Sequence, residues 1–302
     1  MGRSLFITGA RGFIGRRLLA RLNPRNYDQV YCLSRGDTKN YTTPNAVGFT
    51  WLEGSLFDAD NYARYLNSDV TVVHLAALTG KAAADQYFAV NREGTKYLLA
   101  RCRERRVESF LYVSSIAAKY PDKSDYYYAQ SKLQAEEVVR KSDLCHVIVR
   151  PTIVLGREFS GWQLLSRLAR LSWVPVVGDG STQIQPIEVD DLVDAMMTVI
   201  EENDFHNETF DLGGPDVLSV EDFLVKVHRL YHQSNPRVVH LPYGPLRRTL
   251  CLAEACFSSM LPLNAGQLSL FVQDGTIAAN RLYARHRPRM KGIDLVLQLL
   301  VG

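Results

Sequence analysis

"SLFITGARGFIGRRLLARL" spans residues 4–22, and its succession of residue types reads as strand, turn and helix. A short apolar run from Leu5 to Thr8 comes first. Apolar residues then recur at Phe13, Ile14, Leu18, Leu19 and Leu22 with helical spacing. Between and within the two lie Gly9, Gly12 and Gly15, a GxxGxxG pattern. Gly9 permits a tight turn, Gly12 lets the backbone approach a pyrophosphate, and Gly15 lets the helix lie close on the sheet. The amides at the helix start then supply an anion site. Arg11, Phe13 and Ile14 join the three glycines as candidate contacts to a dinucleotide.

The alternation continues outward from this stretch. Strand-like runs follow at 30–34, 48–52, 70–75, 109–114 and 145–149, and helical stretches lie between most of them, the clearest at 85–106 and 127–140. That pattern predicts an α/β fold with a doubly wound parallel sheet. The last residue of the second strand meets the adenosine ribose in such sheets, and an acidic residue there suits NAD. Here "VYCLSRGD" (30–37) puts Ser34 and Arg35 at that place. A guanidinium without a carboxylate favours a 2′-phosphate, so NADP(H) is the expected cofactor. NAD(H) stays open through Asp37, should the turn bring it back to the ribose.

The 302 residues carry a net charge of +3, 46% hydrophobic and 22% charged residues. This is the composition of a globular chain with room for a full core. No stripe gathers basic residues with aromatics, which argues against nucleic acid as the main ligand. "MGRSLFITGA" lacks a signal peptide's apolar run, and no 18-residue apolar segment occurs, so no integral membrane segment and a cytoplasmic location are expected. Five scattered cysteines, Cys32, Cys102, Cys145, Cys251 and Cys256, frame neither a disulfide set nor a metal site and read as small buried hydrophobes.

"DYYYAQSK" (125–132) sets three tyrosines ahead of a lysine. Residues four apart share a helix face, so Tyr128 has Lys132 as its neighbour, whereas Tyr126 and Tyr127 have no lysine at that offset. A free phenol has a pKa of about 10, and a cation within about 4–6 Å lowers it by roughly 1–3 units. Tyr128 therefore reads as the proton donor; Tyr126 and Tyr127 read as cover for the site or a helix interface. Ser114 and Ser115 close the strand at 109–114, where a hydroxyl can orient a substrate oxygen. Satisfying backbone groups is the competing role for both, favoured for Ser114. His74 reads as a packed crevice wall rather than a base.

Taken together, "TGARGFIG", "HLAA" (74–77), "NREGT" (91–95), "VSS" (113–115), "YAQSK" (128–132) and "RPTIVLG" (150–156) resemble the extended short-chain dehydrogenase/reductase family of epimerases, dehydratases and reductases. The resemblance covers about the first 215 residues. It implies a Rossmann-type sheet with a smaller C-terminal substrate-binding lobe. Residues 1–155, with 184–215 returning, would form the dinucleotide-binding domain, and 156–183 with 216–302 the lobe. It implies Tyr128 as acid/base, Lys132 as the residue that holds the nicotinamide ribose and tunes the phenol, and Ser115 as the third member. Leu75, Ala76, Ala77 and Asn91 would lie on the cofactor side, and Pro151 and Thr152 near the nicotinamide.

Departures from the family pattern narrow the chemistry. Ile116 and Ala117 stand where dehydratases carry an acidic pair, and "RPTI" replaces the "RYFN" of many nucleotide-sugar epimerases. Tyr128 follows Ser115 by only 13 positions, fewer than those epimerases show. Ser55 replaces the acid of a "GDL" adenine-side motif, with Leu56 left to pack on the base. The expected activity is a ketone/secondary alcohol oxidoreduction on a small-molecule carbonyl or alcohol, largely apolar. A nucleotide-sugar epimerase with retained NAD and a noncatalytic dinucleotide-binding or assembly module are the alternatives.

Further along, Asp190 and Asp191 read as acidic residues of a helix's first turn, capping it rather than forming an acid/base pair. Ser219 reads as the entry to another helix. "LRRTLCLAEACFSSML" (246–261), with Leu246, Leu250, Ala253, Phe257 and Met260 on one face, reads as core packing, with a lid or a membrane-surface contact as alternatives. "RHRPRMK" (285–291) reads as solvent-exposed, with an anionic substrate as the alternative. A homodimer is left open.

Overall fold

The computed structural model of the chain describes residues 3–36, 48–202, 204–257 and 264–302. Asp37 and Met260 lie outside the described residues, as do the side chains of Cys256 and Phe257. In chain order the first half forms β1 (Ser4–Thr8), α1 (Phe13–Arg21), β2 (Val30–Ser34), β3 (Phe49–Glu53), α2 (Ala59–Tyr62), β4 (Val70–His74), α3 (Ala84–Tyr87), α4 (Gly94–Glu104), β5 (Ser109–Val113), α5 (Tyr127–Arg140) and β6 (Cys145–Pro151). The second half forms β7 (Val154–Leu155), α6 (Ser160–Ala169), β8 (Trp173–Val177), β9 (Gln183–Ile184), β10 (Ile187–Glu188), α7 (Val189–Glu201) and β11 (Glu208–Leu212). Then come β12 (Leu218–Ser219), α8 (Val220–His232), β13 (Arg237–Leu241), α9 (Tyr243–Phe257), α10 (Arg281–His286) and α11 (Ile293–Val301).

Seven strands make one sheet in the order β11-β6-β5-β4-β1-β2-β3, with parallel pairing from β3 through β6. This is the expected Rossmann-type α/β sheet. Leu5, Phe6 and Ile7 of β1 are all fully buried, so both faces of that strand are covered; its apolar run is continuous rather than alternating for this reason. The chain steps outward from β1 to β2 and β3, then returns to β4 on the other side of β1. The crevice of such a sheet opens where the order switches, beyond the ends of β1 and β4. Thr8 and His74 are register partners at those ends.

The chain divides into two compact units. The first comprises Met1–Ser115, Ser131–Arg150 and Val193–Phe210, and the second Ile116–Gln130, Pro151–Leu192 and Asp211–Gly302. In the first, Phe6, Leu33, Val72, Leu98, Phe110 and Ile148 belong to one buried cluster. Each such side chain contributes about 1.5–3 kcal/mol on burial. In the second, Leu155, Trp162, Val174, Val176, Phe223 and Val296 form the main cluster, and Ile116, Ala117, Tyr120, Tyr126 and Ala129 a smaller one. Ser219 caps α8 by accepting from the Asp222 amide at 3.0 Å, the entry its position predicts.

Three expectations change. The single helix over 85–106 is instead α3, a π-helical turn Phe88–Glu93, and α4. The wide turn contains Asn91, whose side chain bonds the Leu78 backbone rather than lying along the helix surface. Cys32 and Cys102 are buried, but Cys145 is partly exposed, with Sγ 3.1 Å from His206 Nδ1, and Cys251 is exposed. None of the described side chains of α9 is buried, and Leu252 is 74% exposed, so this helix is not core. It is tied down by polar contacts, Arg247 to Asp125 and Glu254 to the Ala265 amide. Asp190 and Asp191 do lie in the first turn of α7, and Glu188 accepts from the Asp190 amide at 2.9 Å. Asp191 also receives Lys291, through Nζ at 3.1 Å and the backbone amide at 2.9 Å, while Glu188 takes the same Nζ at 2.8 Å.

Candidate active site

The glycine turn between β1 and α1 is built for a close-lying ligand. Gly9 has φ +69°, and a Cβ there would stand 2.6 Å from the Ala76 nitrogen. The strand ends force this residue to be glycine. A Cβ at Gly15 would stand 2.3 Å from the Gly9 oxygen, so helix and turn also touch. Gly12 differs: it is exposed, precedes α1, and its Cβ would meet protein only at the Gly9 oxygen, 3.1 Å away. Gly12, the residue that opens α1, carries no side chain to cap it, and the positive end of the helix dipole lies at this turn. These features fit the pyrophosphate of a dinucleotide. Phe13 and Ile14, half-buried, begin the helix.

Two arginines meet at the end of β2. Arg11 Nη1 donates to the Arg35 carbonyl at 3.3 Å, and Arg35 is exposed beside the buried Ser34. Glu53, at the end of β3, is the register partner of Ser34. Ser55 is occupied in a turn: its amide donates to Asp58 Oδ2 at 2.7 Å and its Oγ accepts from the Phe57 amide at 3.2 Å. The Ser55 amide, and secondarily the Ser55 side chain, hold the Asp58 carboxyl below its ordinary range by hydrogen bonding to it. Leu56 is buried in the first unit's core, and its carbonyl accepts from Tyr62 Oη at 2.7 Å.

A buried chain of hydrogen bonds lies under the turn. Thr95 Oγ1 donates to the Asn91 carbonyl at 2.6 Å, so at the 2.9 Å contact between them His74 Nε2 must be the donor. The His74 proton is thus assigned to Nε2, and Nδ1 accepts from Thr8 Oγ1 at 2.6 Å. Thr8 Oγ1 in turn accepts from the Ala76 amide at 3.2 Å. Burial, and secondarily the Lys132 charge, push the His74 pKa down to about 3. His74 is a neutral wall, with both nitrogens engaged. Leu75, Ala76 and Ala77 follow it half-exposed, and Asn91 Nδ2 donates to Ser131 Oγ at 2.9 Å.

Helix α5 has the predicted bounds. Tyr128 and Lys132 stand one turn apart on it; it begins in the second unit and continues in the first from Ser131. Tyr128 is half-buried, with its ring 5.8 Å from that of the buried Tyr126; Tyr127 is 39% exposed. Lys132 is buried, donates to the Val113 carbonyl at 2.7 Å and lies 4.3 Å from the Tyr112 ring centroid. Burial lowers its pKa to about 7, against the opposing pull of Glu136. Ser115 lies half-buried two residues past β5. Pro151 ends β6 in the second unit, where the Thr152 hydroxyl donates to the Gln185 carbonyl at 2.5 Å.

Ser114 departs from its reading. Its hydroxyl donates to the Glu136 carboxylate at 2.5 Å rather than to backbone. Glu136 and its partner Arg150 escaped the sequence reading altogether, although Glu136 sits four residues beyond Lys132 on the same helix face and Arg150 opens "RPTI".

A glycine turn at a helix start, at the switch point of a parallel sheet, with a tyrosine and a buried lysine one turn apart, defines the class of nicotinamide-dinucleotide enzymes. The NAD dependent epimerase/dehydratase family model matches residues 5–213. The chain belongs to that family and is an NAD(P)-dependent enzyme of the extended short-chain dehydrogenase/reductase type. It is 25% identical over 267 residues to the N-acetyl-alpha-D-glucosaminyl-diphospho-ditrans,octacis-undecaprenol 4-epimerase of Escherichia coli O157:H7, covering 80% of this chain and 76% of that one. It is 28% identical over 185 residues to a ceramide reductase of Caulobacter vibrioides, covering 61% and 57%. The chain spans 44% to 76% of the length of the curated relatives it matches. The crystal structure of a putative epimerase from Burkholderia cenocepacia J2315 superposes with TM-score 0.72 at 22% identity, covering 99% of this chain and 97% of that one. Among the described residues no helix is long and apolar enough to cross a membrane.

Proposed function

We propose that the protein is an NADP(H)-dependent oxidoreductase that interconverts a ketone and a secondary alcohol. The observation that carries the reading is the pairing on α5 of a half-buried phenol, Tyr128, with a buried amine, Lys132. When bound, the nicotinamide supplies hydride to the carbonyl carbon, or takes it from the alcohol. In reduction Tyr128 Oη gives its proton to the carbonyl oxygen, and in oxidation it takes the proton back. Ser115 Oγ holds that oxygen, and Lys132 balances the charge of the phenolate left behind. Gly12 with the start of α1 receives the pyrophosphate, on the turn that Gly9 and Gly15 make possible. Arg11 and Arg35, brought together at the end of β2, support a 2′-phosphate and hence NADP(H) over NAD(H).

A largely apolar ketone is the proposed substrate. It suits the absent sugar motifs, and two relatives are named for molecules with long hydrocarbon tails, a ceramide and an undecaprenol derivative. A cytoplasmic location belongs to the same reading; the four described cysteines are free thiols, which a reducing compartment preserves. Incubating the protein with NADPH and a panel of apolar ketones, with loss of NADPH as readout, tests the proposal. Turnover in the wild type that disappears in Tyr128→Phe is the expected result. The second reading, an epimerase, is favoured by the undecaprenol-linked sugar epimerase; conversion of a sugar substrate with no net change in dinucleotide redox state would select it.

A further inference from the structure

Glu136 is a carboxylate with no solvent exposure, a costly placement unless both oxygens are paired. Both are. Oε1 accepts from Ser114 Oγ at 2.5 Å and Arg150 Nε at 2.8 Å; Oε2 accepts from Arg150 Nη2 at 2.5 Å and Arg140 Nη2 at 2.8 Å. The Arg150 fork grips it through two parallel bonds, the geometry that adds direction to charge.

The partners sit at the places where the chemistry is expected. Ser114 follows the last residue of β5 and precedes Ser115. Arg150 stands in β6 directly before Pro151 and Thr152. Glu136 lies one turn beyond Lys132, whose Nζ donates to the carbonyl of Val113, the neighbour of Ser114. The end of β5 is therefore bonded to α5 twice, one turn apart, and the end of β6 once more through Arg150.

We propose that Glu136 is a positioning residue for the reaction: by gripping Ser114 and Arg150, it locks the ends of β5 and β6 onto α5 and thereby fixes where the Lys132 amine and the Ser115 hydroxyl stand. The inference rests on the oxidoreductase reading above. Electrostatics point the same way. The groups around Lys132 are neutral His74 on β4, the Tyr112 ring on β5, Tyr128 a turn earlier on α5, Glu136 on α5 and, behind it, Arg150 on β6. Glu136 is the anion of this set, so it opposes the burial that would strip the amine of its proton.

The test is a fluorescence titration of the purified full chain with NADPH from about pH 6 to about pH 9. The variants are Glu136→Gln and the double replacement Glu136→Met with Arg150→Met. Glu136→Gln should weaken NADPH binding about tenfold at neutral pH and move the alkaline fall in affinity down by about one pH unit. Because it strands Arg150, it also lowers the melting temperature. The double variant replaces a buried ion pair by apolar side chains, an exchange that commonly preserves or raises stability. It should melt at or above the wild-type temperature and still bind NADPH more weakly. A double variant that is stable and binds NADPH with the wild-type constant and pH profile overturns the inference and leaves Glu136 as structural glue. A wild-type protein that binds neither NADPH nor NADH overturns the oxidoreductase reading, and this inference with it.

Discussion

Tyr128 and Lys132 show what a pair of residues can be asked to do. Tyr128→Phe removes only the phenolic oxygen, so turnover should fall by about a hundredfold or more, with NADPH affinity measured by titration unchanged. Lys132 sets two opposite pH trends. Its folded pKa of about 7 lies below the ordinary 10.5, so between those values the unfolded chain holds the proton that the folded chain has lost. Stability should rise with pH across that window, because the cost of burying the charge is full below about 7 and is relieved above it. If Lys132 holds the ribose as proposed, dinucleotide affinity should fall as pH rises through the same value, since the ammonium is lost. Melting curves and titrations of Lys132→Met should show neither slope. At the end of β2, Arg35→Asp should weaken NADPH binding far more than NADH binding; equal effects would remove Arg35 from the site. The Tyr128–Lys132 spacing was readable because it is local to one helix. The grip of Glu136 on Ser114 and Arg150 was not, because partners 22 and 14 positions away meet only once β5, α5 and β6 are packed.

The glycine turn separates two demands at the scale of an element. Gly9 answers to the protein, with a positive φ and the Ala76 backbone 2.6 Å from any added Cβ; Gly12 meets only the Gly9 oxygen, at 3.1 Å. Gly9→Ala should thus lower the melting temperature sharply or prevent folding, while Gly12→Ala should fold and lose at least about tenfold in dinucleotide affinity. Calorimetry beside a binding titration distinguishes the two; a Gly12→Ala protein with undiminished affinity would contradict the pyrophosphate site. Element boundaries followed the same division between local and tertiary causes. The bounds of α5 were legible because its start and apolar period lie in the sequence. The π-helical turn around Asn91 was not, since Asn91 bonds to Leu78 and Ser131, which another part of the chain brings to it. Helix α9 has an apolar period that suggests core, yet its described residues are half-exposed or exposed, because period reports a face and says nothing of what covers it.

At the scale of the whole molecule, alternation of strand and helix was enough to give the parallel sheet, whereas its strand order came only from the structure. The sequence could not show how distant charged residues pair. Lys291, in a basic run open to a substrate role, is taken up by Glu188 and Asp191 within the second unit. Lys291→Met should lower stability by about 1 kcal/mol, read from denaturant unfolding, without changing NADPH affinity. Every role proposed for Tyr128, Lys132, Gly12 and Arg35 depends on a bound dinucleotide. The direct measurement is to denature the purified protein, identify any dinucleotide released, and titrate the emptied protein with NADPH and NADH. An empty site that prefers NADPH by tenfold or more, about 1.4 kcal/mol, is the predicted result. NAD retained through purification, with no preference for NADPH, would contradict the account and point to an epimerase.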